Sequence, residues 1–247
     1  AALRVAKAGR IAQGGAKLRG MNLRLIALLA ALLPFAAVHL TWLLAASQGH
    51  VDWCNPYLDS CTSISATGRQ PPASYLFRAT MLPAAVVLAL YWWCNYAWLR
   101  ALQGADGRIR RLRWMLWLGL LASVGLILYV TVLGEAGDAW RFQRRAGTVL
   151  FFSFTFLAQL LFAAELRRGS RRVAGISGLA AGMYGVCCLL LALGLLTVVL
   201  QAWDGVLYDS VEDAFEWILS LLLQTNFLLG YLVWRRAGWR LQFVAGP

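Results

Sequence analysis

The sequence predicts an all-α polytopic membrane protein, a bundle of six transmembrane helices with the N and C termini cytoplasmic. Three observations predict it. The 247 residues are 60% hydrophobic and 14% charged, against about 25% charged in a soluble domain. The apolar residues fall into six continuous blocks, Leu25–Ala46, Tyr75–Leu99, Trp114–Leu133, Gly147–Ala164, Val173–Leu200 and Val211–Trp234, each close to the ~20 residues a helix needs to cross a bilayer core. The connections between them alternate in charge. Continuous runs exclude a barrel, whose strands alternate in short segments, and lipid tolerates only helices or closed barrels.

Taken in order, residues 1–24 form a basic tail carrying Arg4, Lys7, Arg10, Lys17, Arg19 and Arg24. It reads as a disordered arm or a short interfacial helix. The transmembrane domain covers 25–236. Its first block is read as a retained span, since no A-x-A cleavage site precedes a plausible mature start. Residues 47–74 make the longest connection, and loops beyond about 12–15 residues are commonly functional or disordered. This loop holds Cys54 and Cys61 around Asn55-Pro56. On an oxidising face the two cysteines can close a disulfide, with two free thiols as the alternative. The loop ends in SISATGRQPPASYLFRAT, where Pro71-Pro72 forces extended backbone before the second span. Arg78 then sits one turn inside that span.

Trp92, Trp93, Tyr96 and Trp98 near the end of the second span, and Trp114 and Trp117 at the start of the third, suit interfacial belts. The fifth span carries Gly178-x-x-x-Gly182, a spacing that permits close helix contact. The sixth opens with VEDAFEWILSLLLQ, in which Glu212, Glu216, Ser220 and Gln224 recur every four residues and form one stripe. Residues 237–247 are a second tail.

The net charge of +12 is not a nucleic-acid footprint. Eighteen of the 23 basic residues lie in the tails and the even-numbered connections, at Arg100, Arg108, Arg110, Arg111, Arg113, Arg167, Arg168, Arg171, Arg172, Arg235, Arg236 and Arg240 besides the tail residues named above. Only Asp106 and Glu165 accompany them. Such alternation follows the positive-inside rule, placing both tails and these connections in the cytoplasm.

Ionisable groups inside a span call for a partner. Arg78 and Glu216 enter from the outer side to similar depth, so they are expected to pair. His39 lies in the outer half of the first span, which exits at Gln48-Gly49-His50. Asn95, Gln159, Gln224 and Asn226 are expected to make interhelical hydrogen bonds. Cys94, Cys187 and Cys188 read as packing residues. No cysteine–histidine spacing suits zinc, and no Walker loop, HExxH or G-x-S-x-G motif is present, so no metal or cofactor is expected.

Three stretches resemble a known family. GHVDWCNPYLDSCTSISATGRQPP (49–72), LFRATMLPAAVVLALYWWCNYAWL (76–99) and FEWILSLLLQTNF (215–227) resemble the Frag–DRAM–Sfk family of six-helix membrane proteins. That family includes the damage-regulated autophagy modulators and the post-GPI-attachment lipid-remodelling factor. The second stretch looks more like the lipid-remodelling branch. The family tends to place a histidine just before the fourth span. This chain reads RFQRRAGTV there, with Arg144 and Arg145, side chains suited to a lipid phosphate.

The resemblance implies a lipid-facing role. The leading reading is a protein that binds or handles a lipid without turnover, in a headgroup niche at the outer mouth. Arg78, Glu216, Arg144, Arg145, His50, Glu212 and Gln224 would supply that niche, and the first outer loop would cover it. An acyltransferase or hydrolase would use Glu216 or His39 as base and Ser220 as nucleophile. A small-molecule transporter is a third reading, though no inverted repeat is visible. The expected partners are a membrane lipid and, through the membrane helices, a second protein or copy. The expected location is the inner (plasma) membrane if the source is bacterial and an endomembrane if it is eukaryotic.

Overall fold

The computed structural model describes residues 3–5, 23–103, 109–169, 173, 175–238 and 241–243. Its helices are α1 (Arg24–Ser47), a single turn α2 (Ile64–Thr67), α3 (Ala73–Gln103), α4 (Ile109–Thr131), α5 (Asp138–Gly169), α6 (Ser177–Trp203) and α7 (Gly205–Ala237). All but α2 are long and apolar enough to cross a membrane. They overrun the apolar blocks, because polar residues at a span's ends remain helical in the headgroup zone. At 32 and 33 residues, α5 and α7 are about 48–50 Å long, against a hydrocarbon core of about 30 Å.

Leu3–Val5 (β1) pairs antiparallel with Leu241–Phe243 (β2). Both tails thus meet at one end of the bundle, here the termini end; the opposite end is the loop end. The rest of the N-terminal tail up to residue 22, Asp106 and Arg108, Arg171 and Arg172, and Arg240 lie outside the described residues.

The six long helices form a closed ring in which α1 packs on α3, α3 on α4, α4 on α5, α5 on α6, α6 on α7 and α7 back on α1. Lipid offers no hydrophobic drive between helices, so close packing and interhelical hydrogen bonds hold them. In α1 the inward face is small, with Ala27, Ala30, Ala31, Ala37, Ala45 and Ala46 all buried. Gly125 of α4 and Gly147 of α5 lie against each other. A Cβ on Gly147 would stand 2.6 Å from the Tyr129 amide nitrogen and 2.7 Å from the Gly125 carbonyl oxygen. Tyr91 and Trp92 pack edge-on against Phe162 and Phe227, and the Tyr91 hydroxyl occupies the space beside Gly230.

Polar ties cross this core at three of the four amides expected to make them, Asn95, Gln159 and Asn226, while Gln224 Oε1 has no partner. Gln159 Nε2 donates to the Leu223 carbonyl (3.0 Å), and Asn226 Nδ2 donates to Gln159 Oε1 (3.1 Å). Trp234 Nε1 donates to Asn95 Oδ1 at 2.9 Å. Such bonds average about 0.6 kcal/mol in a membrane bundle. At the termini end the buried Glu165 carboxylate accepts from Gln103 (2.8 Å) and Arg168 (3.0 Å), with Arg111 at 3.8 Å. One acid there joins the ends of α3, α4 and α5.

Helix α6 differs from the rest. Only 17% of its span is buried, against 39–44% for the others. The predicted packing of Gly178-x-x-x-Gly182 does not occur among the described residues. A Cβ at Gly178 would meet nothing within 4 Å, and one at Gly182 only Leu229, at 3.9 Å. The buried residues of α6 are Ala180, Met183, Cys187 and Leu190, a narrow line that leaves Gly178, Gly182 and Gly185 exposed.

Enlarging Gly147 should therefore be costly and enlarging Gly185 should not, since a Cβ at Gly185 meets nothing within 4 Å. Gly147→Leu is expected to lower stability by about 1–3 kcal/mol, the usual cost of overpacking. Gly185→Leu should leave the thermal unfolding midpoint in detergent unchanged.

Candidate functional site

The loop end is roofed by the segment between α1 and α3. Cys54 and Cys61 are disulfide-bonded, with Cα atoms 6.6 Å apart. The roof is fastened at three places. Tyr57 OH donates to His39 Nε2 (2.8 Å), while His39 Nδ1–H donates to the Phe35 carbonyl (2.7 Å). The carbonyl requires a proton on Nδ1, which leaves Nε2 of the neutral ring as the acceptor. Burial raises the Tyr57 phenol above its ordinary value, so it stays a protonated donor. The buried Trp217 Nε1–H donates to the Thr62 carbonyl (2.8 Å), and Ser60 Oγ accepts from the Ala214 amide (3.2 Å). Farther along, Ser63 caps α2 by accepting from Ala66 N–H (3.1 Å). The Arg69 carbonyl then lies against Gly134, whose φ of +92° and crowding, with a Cβ 2.8 Å from that oxygen, admit only glycine.

Arg78 does not pair with Glu216. Its Nη2 donates to the Leu133 carbonyl (2.6 Å) in the α4–α5 turn, and Glu135 of that turn lies at 3.6 Å. Equal depth was the basis of the expected pair, but depth says nothing about direction around the bundle. The guanidinium reaches outward to the interface, as long basic side chains do, and satisfies a carbonyl beyond the end of α4. It ties α3 to the turn.

Beneath the roof lies a cavity of about 30 Å³. Glu216, Ser220 and Gln224 of α7 line one wall. Tyr129 of α4 and Thr148 of α5 add two hydroxyls, Ile64 of α2 closes the top, and Phe77, Met81 and Phe151 supply apolar surface. The i, i+4 stripe of α7 thus faces inward from Glu216 to Gln224; Glu212, one turn earlier, is exposed and does not line the cavity. Two polar atoms here are buried without a partner, Tyr129 Oη and Gln224 Oε1, on side chains that are each 7% exposed. An unpaired buried polar atom costs about 1–3 kcal/mol, so both are poised for a further hydrogen bond. The volume admits one or two water molecules.

The exposed Arg69 guanidinium donates to Ser65 Oγ at 2.9 Å. Arg144 is half-buried near the start of α5, whereas Arg145 and His50 are exposed. Ser220 and Glu216 share the cavity, but no hydrogen bond joins them as nucleophile and base, and His39 is occupied by Tyr57 and Phe35. Among the described residues, no cluster of three or more His, Cys, Asp or Glu side chains could hold a metal ion. Sequence reasoning missed Tyr129 and Thr148. Tyr129 lies two residues before the end of α4, where an aromatic reads as part of a belt.

Residues 22–232 match the family model described as the Frag1/DRAM/Sfk1/Cwh43P N-terminal domain. No curated protein and no solved structure matches the chain.

Two measurements check this geometry. In double-mutant cycles on unfolding in detergent, Arg78→Ala and Glu216→Gln should be additive within about 0.3–0.5 kcal/mol. Arg78→Ala and Glu135→Gln should show coupling, up to about 1 kcal/mol for an exposed pair. Trp217→Phe leaves the buried Thr62 carbonyl unpaired. It should destabilise by about 1–3 kcal/mol and speed tryptic cleavage after Arg69.

Proposed function

We propose that this chain, which belongs to the Frag1/DRAM/Sfk1/Cwh43P family, is an integral membrane protein that binds a membrane lipid by its headgroup beneath the disulfide-bonded roof. The observation that carries the reading is the pair of unpartnered atoms, Tyr129 Oη and Gln224 Oε1, on residues that line one cavity with Glu216 inside a membrane-spanning bundle. Unsatisfied polar groups and an acid at this depth are expensive unless they serve a polar ligand. Tyr129 offers a donor. Gln224 Oε1 and the Glu216 carboxylate offer acceptors. The set suits a headgroup hydroxyl or amine, while the half-buried Arg144, one turn before the lining residue Thr148, suits the adjoining phosphate, which arginine binds in bidentate fashion. Basic side chains on the tails and the even-numbered connections favour a membrane with anionic headgroups on that side.

Native mass spectrometry of the detergent-purified protein tests the reading. A lipid of defined mass at one per chain is expected. Glu216→Gln should reduce its retention by about 10- to 100-fold, since bonds to charged groups contribute roughly 1.5–3 kcal/mol. Tyr129→Phe should reduce it by a few-fold. Retention unaffected by both substitutions would overturn the proposal, and conversion of the retained lipid that Glu216→Gln abolishes would identify an enzyme instead.

A further inference from the structure

On the far side of α7's polar stripe the bundle wall is open. Helices α5, α6 and α7 leave a lateral cleft of about 210 Å³, walled by Phe156, Leu191, Gly194, Leu195, Leu219 and Leu223. It lies near the middle of the three spans, where the medium is hydrocarbon. A second apolar hollow, of about 270 Å³, continues on the α6–α7 face toward the loop end, between Leu200, Val211, Phe215 and Ile218. Two features set the cleft beside the polar cavity. Helix α7 is a shared wall, with Leu219 and Leu223 on the cleft and their neighbours Ser220 and Gln224 on the cavity. Phe152 of α5 lines both spaces. On the water side, by contrast, the cavity lies beneath a roof bonded to α1 and α7.

We infer that the lipid enters sideways from the bilayer between α5, α6 and α7. An acyl chain occupies the apolar cleft while the polar end reaches Glu216, Gln224 and Tyr129 past Phe152. The inference rests on the lipid-binding reading and adds the route and the part of the lipid recognised. The cleft commits to an acyl chain because its lining is apolar apart from Ser153 and it opens at hydrocarbon depth. Its place beside two unpartnered polar atoms, across a wall that includes Phe152, asks for a molecule polar at one end only. It also gives a reason for the sparse packing of α6, which forms one side of an entrance.

Gly194 provides the test, because a Cβ there meets nothing within 4 Å and a larger side chain enters the cleft without disturbing the fold. In nanodiscs of phosphatidylethanolamine carrying a mid-chain diazirine, irradiation should label Leu191, Leu195, Leu219 and Leu223 above other lipid-facing positions. Gly194→Phe should lower that labelling, and the lipid retained in native mass spectra, by roughly tenfold, the effect of losing about two buried methylenes. Gly185→Phe, outside the cleft, should change neither. Labelling spread evenly over α1, α3 and α4, with full retention in Gly194→Phe, would overturn the lateral route and leave headgroup binding intact. A wild-type chain that retains no lipid would remove both.

Discussion

The structure depends on a stripe of α7 that hydrocarbon cannot solvate. Glu216, Ser220 and Gln224 follow one another at a helical repeat inside a span, and an exposed carboxylate at that depth is expensive. The bundle must turn the stripe inward, which fixes the rotation of α7. That rotation sets Asn226 against Gln159 and Trp234 against Asn95. It also places Trp217 beneath Thr62 of the roof. Two helices and the roof are thus positioned by α7, and the ring closes where it returns to α1.

The roof and the cavity are two consequences of the same arrangement. The polar wall needs cover from hydrocarbon and bulk water, and the disulfide-bonded segment supplies it through Tyr57, Ser60 and Thr62. The hydrogen bonds from this loop go to α1 and α7, the helices at the closing seam of the ring. Arg78 belongs to a different joint. By satisfying the Leu133 carbonyl it holds the start of α3 to the α4–α5 turn, and the Arg69 backbone crosses Gly134 of that turn. Charge on this face is therefore divided, with Arg78 in the framework and Glu216 facing the cavity.

Six spans were legible because continuous apolar runs have few other uses, and the inward stripe because a repeat of four leaves one face. Pairing across the bundle was not legible. Depth along a helix follows from counting residues, but direction depends on the packing of every neighbour, so Arg78 met Leu133 and Glu135 and not Glu216. Gly178 and Gly182 show the same limit, since small residues permit a contact without naming the partner. Tyr129 has no sequence signal, because its importance lies in what its hydroxyl lacks. His39 was visible as a polar residue in a span, yet its partner Tyr57 lies in an irregular loop whose path only the disulfide and three anchoring bonds define.

The central claim is that the α7 stripe faces an enclosed polar space completed by a lipid. A cryo-electron microscopy reconstruction of the chain in lipid nanodiscs tests it most directly. The account expects elongated density in the α5–α6–α7 cleft that passes Phe152 and ends within hydrogen-bonding distance of Tyr129 Oη and Gln224 Oε1. A map in which those atoms bond to other side chains of the protein, with Glu216 directed outward into the bilayer, would contradict it.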